Sequence, residues 1–171
     1  MVSPLFFRAT SSIRWVGFLA IIATLLFAAM AIYTSPLEPS IPEIQLTFTA
    51  SAFNAILAEW KPAGVHLFKV HFLIDYPFLV SYGALGYLIS IKTRLFTGVA
   101  PLVRTLHAIS LPVAAVADAT ENALHLFFLF KAGPVAQSLY FVAGTVVSIK
   151  WLLIVTFVGS AIYARYSKAA D

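Results

Sequence analysis

The sequence predicts an all-α integral membrane protein: a four-helix bundle in a single membrane domain covering residues 1–171. Three observations carry this expectation. The chain is 61% hydrophobic and only 11% charged, where soluble domains run about 25% charged. Mean hydropathy is +0.92. Four apolar runs, about 15–33, 70–91, 105–130 and 135–163, each approach or exceed the ~20 residues that a bilayer core demands.

The first run, Trp15–Tyr33, follows a segment carrying Arg8 and Arg14. Ala29-Met30-Ala31 has the small-x-small form of a signal-peptide cleavage site. The apolar run, however, exceeds the usual ~7–15 residues of an h-region, so an uncleaved anchor is expected. Residues 34–69 form the one sizeable loop outside the spans. Pro36, Pro39 and Pro42 open it in extended form. Thr49–Trp60 then reads as a short helix, with Phe53, Ile56, Leu57 and Trp60 on one face and Lys61-Pro62 as its stop. Such a helix either lies at the membrane interface or caps the bundle as a lid.

In the second run Pro77 removes a backbone donor and should bend the helix just after Asp75, and Pro112 in the third is expected to make a second kink. Lys131–Pro134 is a turn. In the fourth run Gly144-x-x-x-Ser148 is a small-x-x-x-small pattern, whose ordinary meaning is close packing inside the bundle. A homodimer interface on that face is the less favoured alternative, and nothing else in the chain indicates an oligomer. The basic residues set the orientation. Arg8, Arg14, Lys92, Arg94, Arg104, Arg165 and Lys168 fall on one side, and Lys61, Lys69 and Lys131 on the other. Both termini are therefore expected in the cytoplasm, with the Pro-rich loop outside a bacterial cytoplasmic (inner) membrane. The net charge of +4 follows from that topology and calls for no nucleic-acid partner. Membrane lipids are the expected surroundings.

Chemistry concentrates in AVADATENALHLFF, residues 115–128. Asp118, Glu121, Asn122 and His125 sit at i, i+3, i+4 and i+7, one stripe on a helix. Each ionisable group at bilayer depth costs roughly 2.5–3.5 kcal/mol on insertion scales, so partners are expected. Depth counting supplies them. At 1.5 Å per residue, Asp118 and Lys150 lie ~21–22 Å from the cytoplasmic ends of their helices. Asp75 and Glu121 lie at ~26 Å, and His71 and His125 at ~32 Å. All fall in one layer of the outer half of the membrane.

Three readings fit that layer. In the first it is a structural clamp built on the ion pair Asp118–Lys150, which fixes helix register where apolar packing discriminates poorly. In the second it binds or acts on a lipid or other apolar small molecule. Asp75 and Glu121 are then the candidate acid and base, His71 and His125 the proton shuttles, and Tyr76, Tyr82 and Asn122 orient a substrate oxygen. In the third His71, Asp75, Glu121 and His125 hold zinc or non-haem iron, or the two histidines bind a haem axially. The sequence itself requires no cofactor. With no cysteine, thiolate ligands and disulfides are excluded. No Gly-rich phosphate loop, nucleophile elbow or His-Glu-x-x-His motif occurs. His107, near the cytoplasmic end of its span, reads as a polar cap.

Asp75-Tyr76-Pro77-Phe78 with Tyr82, followed by Asp118-Ala119-Thr120-Glu121-Asn122, resembles the D-x-x-F-x-x-x-Y … D-x-x-E-N pattern of small uncharacterised bacterial four-span membrane proteins. The outer segment up to Trp60 and Gly64 is similar as well, so the resemblance covers about residues 45–130. It implies a four-helix membrane fold and a core set of Asp75, Tyr82, Asp118, Glu121 and Asn122. It implies no activity, and His71, His125 and Lys150 lie outside the pattern.

Overall fold

The computed structural model describes residues 4–167, with side chains from residue 13 onward. Lys168 and the side chain of Arg8, both used in the charge count, lie outside the described residues. The fold is all-α, with helices α1 Pro4–Thr34, α2 Ile41–Gln45, α3 Ala50–Lys92, α4 Pro101–Phe130 and α5 Gln137–Ser167. Four of these are long and apolar enough to cross a membrane.

Helix limits follow local chemistry. Pro4 and Pro101 stand at first turns, where the missing N–H costs nothing. α1 therefore begins well before Trp15, because nothing between Pro4 and the apolar run breaks it. α2 is started by Ser40, whose N–H and Oγ–H both donate to Glu43 Oε2 at 2.6 Å. That pairing holds the exposed Glu43 carboxyl below its ordinary pKa, through the Ser40 hydroxyl first and its backbone N–H second. At the start of α3, Thr49 Oγ1 accepts from the Ala52 N–H at 3.1 Å.

The expected stop at Lys61-Pro62 is a break inside α3. Lys61 has φ 55° and ψ 179°, a region that only glycine enters freely. It divides a short arm, residues 50–60, from a longer helix, 62–92. Residues 62–69, expected in the loop, belong to that longer helix because Pro62 sits in its first turn. At the two prolines expected to bend their helices, backbone geometry stays helical: the helix continues through Pro77, and α4 through Pro112. The Ser81 hydroxyl caps the Pro77 carbonyl at 2.7 Å.

α1 packs on α3, α3 on α4 and α4 on α5. The α3–α4 seam is the tightest. A Cβ added at Gly86 would stand 2.5 Å from Leu111 Cβ, and one at Gly83 would stand 2.9 Å from Ala115 Cβ. Only a missing side chain lets these backbones approach so closely. Two apolar layers result. One joins Leu37, Ile44, Phe53, Trp60, Phe68, Phe72, Phe128 and Tyr140, and the other Leu79, Tyr82, Phe96, Leu111, Ala114 and Phe157. The polar residues of α3, α4 and α5 lie between them along each helix.

The arm of α3 resolves the choice between interfacial helix and lid. Its apolar face is turned inward, with Phe53 at 1% and Trp60 at 6% exposure. Trp60 Nε1–H donates to the Pro39 carbonyl at 2.6 Å. Gln137 at the start of α5 clasps the arm from the other side. Its Oε1 accepts from Ala50 N–H at 3.1 Å, and its Nε2–H donates to the Phe48 carbonyl at 3.3 Å. The arm is a lid over the first apolar layer. Gly144 serves the same closure, because a Cβ there would stand 2.7 Å from the Phe48 ring. The small-residue pattern of α5 is thus used within the chain, against the lid segment.

Candidate functional site

Seven polar side chains from three helices meet beneath the lid: His71 and Asp75 of α3, Asp118, Glu121, Asn122 and His125 of α4, and Lys150 of α5. None is more than 4% exposed. Their depths, counted from chain ends, match as contacts. Lys150 Nζ donates to Asp118 Oδ1 at 3.0 Å, and Asn122 Nδ2–H donates to Asp75 Oδ2 at 2.5 Å. Tyr82, one turn below, donates its hydroxyl to Asp118 Oδ2 at 3.0 Å. The residues of the core set implied by the resemblance fall into two hydrogen-bonded groups in this layer, Asp75 with Asn122, and Tyr82, Asp118 and Glu121 around Lys150.

The structure also differs from the sequence expectation. Lys150 is not exclusive to Asp118, because it also donates to Glu121 Oε2 at 2.5 Å. Charge counting assigned the lysine one partner. Geometry gives it two, since Asp118 and Glu121 are three apart on one helical face and a single ammonium reaches both. Tyr76 is 36% exposed and lies off the cluster. It follows Asp75 directly, and adjacent helical residues point about 100° apart. Its proposed contact with substrate in the cluster has no support in that position.

The side-chain geometry gives the metal reading no support. Among the described residues, no three His, Asp or Glu side chains gather as metal ligands would. Glu121 Oε2 is engaged by Lys150, Asp75 Oδ2 by Asn122, and the Nδ1–H of His71 by the Phe68 carbonyl. A haem between the histidines meets a packing conflict. Phe68 lies against both imidazoles, with ring centroids 5.0 Å from His71 and 5.8 Å from His125. Phe72 sits 4.1 Å from His71, and Phe53 5.4 Å from His125. Aromatic side chains occupy the faces that a macrocycle needs.

Phe68, Phe72 and Phe128 are members of the site that the sequence did not single out, and Phe53 it placed only on the apolar face of the 49–60 helix. The chain has fifteen phenylalanines, and the periodicity of a helix in lipid does not tell an inward ring from an outward one. Only the spacing of Phe68, three before His71, hints that it shares the histidine's face.

Three buried atoms in the cluster have no hydrogen-bond partner: Glu121 Oε1, Asn122 Oδ1 and His125 Nδ1. Glu121 Oε1 and His125 Nδ1 are 3.7 Å apart, beyond a normal hydrogen bond. An unsatisfied buried polar atom costs about 1–3 kcal/mol, so three together on one face of α4 are a feature to be explained. Two apolar grooves lie elsewhere. One of about 480 Å³ runs between α3 and α4 along Leu79, Gly83, Tyr87, Pro112 and Ala119. The other, of about 340 Å³, lies between α4 and α5 beside His107. The Nδ1–H of His107 donates to the Val103 carbonyl at 2.7 Å, and its ring packs 4.3 Å from Phe96. No residue of the polar cluster lines either groove.

No protein-family model, no curated protein and no solved structure matches the chain.

Proposed function

We propose that the protein is a multi-pass membrane protein of a bacterial cytoplasmic membrane whose lidded polar cluster binds a lipid or other apolar small molecule or acts on it by acid–base chemistry. The orientation follows the basic residues, with both termini cytoplasmic and the lid and cluster toward the outer face. The observation that carries the reading is the set of unpartnered atoms Glu121 Oε1, Asn122 Oδ1 and His125 Nδ1. A cluster built only to hold helices together is expected to satisfy its own polar groups, as Asp118 does through Lys150 and Tyr82. Glu121 has one oxygen fixed by Lys150 and one free, with an imidazole beside it. That is an arrangement for moving a proton to or from a bound group. Asp75, oriented by Asn122, is the second carboxyl of the site.

A clamp remains the second reading, favoured by one observation: Lys150 ties two carboxylates of α4 to α5 inside the bundle. Glu121→Gln separates the two. If Glu121 serves a ligand, the variant stays folded and no longer retains the apolar compound that the wild-type protein carries through purification, as read by mass spectrometry of an organic extract. If Glu121 only clamps, wild type and variant carry the same extract, and the variant unfolds at lower temperature.

A further inference from the structure

The chemistry of the open atoms narrows the ligand class, given the binding reading above. Asn122 Oδ1 is an acceptor only, and so is Glu121 Oε1 as a carboxylate. A single ligand group that completes both brings at least two donors. A hydroxyl brings one, and a carboxylate brings none. An ammonium brings three.

Charge points the same way. Asp75, Asp118 and Glu121 are buried with a single lysine among them. Lys150 reaches Asp118 and Glu121, whereas Asp75 has a neutral amide as its hydrogen-bond partner. A buried carboxylate without a counter-charge is costly, and a cationic ligand removes that cost. The walls suit a cation as well. Phe53, Phe68, Phe72 and Phe128 surround the two imidazoles within ring-contact distance, and ring faces attract a desolvated cation.

We propose that the lidded cluster is a binding site for an amphipathic amine, whose ammonium lies among Glu121, Asn122 and Asp75 and whose apolar body lies against the lid phenylalanines. Access runs beneath the arm 50–60. It is joined to the rest of α3 at the strained Lys61 and held at its ends by the Trp60–Pro39 and Gln137–Ala50 hydrogen bonds. Phe53, nearly fully buried over His125, is the side chain that the ligand must displace.

The test is binding of octylamine to the full-length protein in detergent, with octanol and octanoate as probes of equal chain length. Thermal shift and equilibrium dialysis are the readouts. Octylamine is expected to bind saturably and raise the unfolding temperature, while octanol and octanoate bind at least tenfold more weakly. Glu121→Gln is expected to weaken octylamine roughly tenfold or more, as for loss of a charge-assisted hydrogen bond. Asp75→Asn, which keeps the shape of the side chain, should do the same and serves where Glu121→Gln fails to fold. Tyr76→Phe, off the cluster, should bind like wild type. If octanol binds as tightly as octylamine, the amine assignment is overturned while an apolar-ligand site stands. If none of the three probes binds saturably, the amine assignment falls. If in addition no compound co-purifies with the wild-type protein, the binding reading falls with it.

Discussion

α1 and α4 are both long helices able to cross a membrane, yet they are built for opposite neighbours. α1 has the higher mean hydropathy, 2.4 against 1.3 over their most apolar windows. It is nevertheless largely exposed outside its seam with α3, with Ala23 as its only buried residue among those described. α4 buries ten residues, four of them Asp118, Glu121, Asn122 and His125. The more apolar helix is thus the one turned outward. In lipid there is no hydrophobic gain from moving a leucine off the acyl chains and onto another helix. Burial in a bundle instead follows small residues, which allow close approach, and polar groups, which find partners nowhere else. α4 has both, whereas α1 has small residues, among them Gly17 and Ala23, but no charged side chain between Trp15 and Thr34.

The largest effect expected from this contrast comes from Lys150→Met. It strips Asp118 and Glu121 of the only lysine or arginine that pairs with them among the described residues and should cost about 3–5 kcal/mol, the usual consequence of leaving a buried charge unpaired. Unfolding in mixed detergent micelles measures it. Combining the change with Asp118→Asn and Glu121→Gln should recover much of the loss, because no charge then stays stranded. Gly86→Ala comes next, at about 1–3 kcal/mol by overpacking, since its Cβ would meet Leu111 at 2.5 Å. Leu111→Ala should relieve the clash in the double variant. Leu25→Ala on α1 should change stability by no more than about 0.5 kcal/mol, as an exposed site with no special role. A Leu25→Ala effect as large as that of Gly86→Ala would break the distinction between the two helices.

The smallest effect is outside the spans. The Glu43 carboxyl is held below its ordinary pKa by Ser40. Its contribution is therefore present above the unfolded value and lost as pH falls through the folded one. Acid should loosen α2 slightly in wild type, and Glu43→Gln should remove that pH dependence. Hydrogen exchange of the α2 amides between neutral pH and pH 4 reads it.

Much of this was legible in the chain. Length and hydropathy predict the four long helices, and residue spacing predicts the stripe on α4. Depth counting finds the Asp118–Lys150 pair, because rise per residue is fixed and the spans begin at comparable levels. The chain also marks the break at Lys61-Pro62. What it leaves open are choices that depend on rotation about a helix axis rather than on position along it. Whether the arm lies in the interface or closes over the bundle depends on Phe53, Trp60 and Gln137 meeting partners far away in sequence. Whether Lys150 serves one carboxylate or two, and whether Asp75 meets Glu121 or Asn122, is set by side-chain reach and ångström-scale register. Composition and periodicity determine the class of the protein and the level of its polar layer. The tertiary structure decides which oxygens are held and which are left open. The physical reason is that a hydrogen bond depends on ångströms and angles, which no one-dimensional spacing specifies.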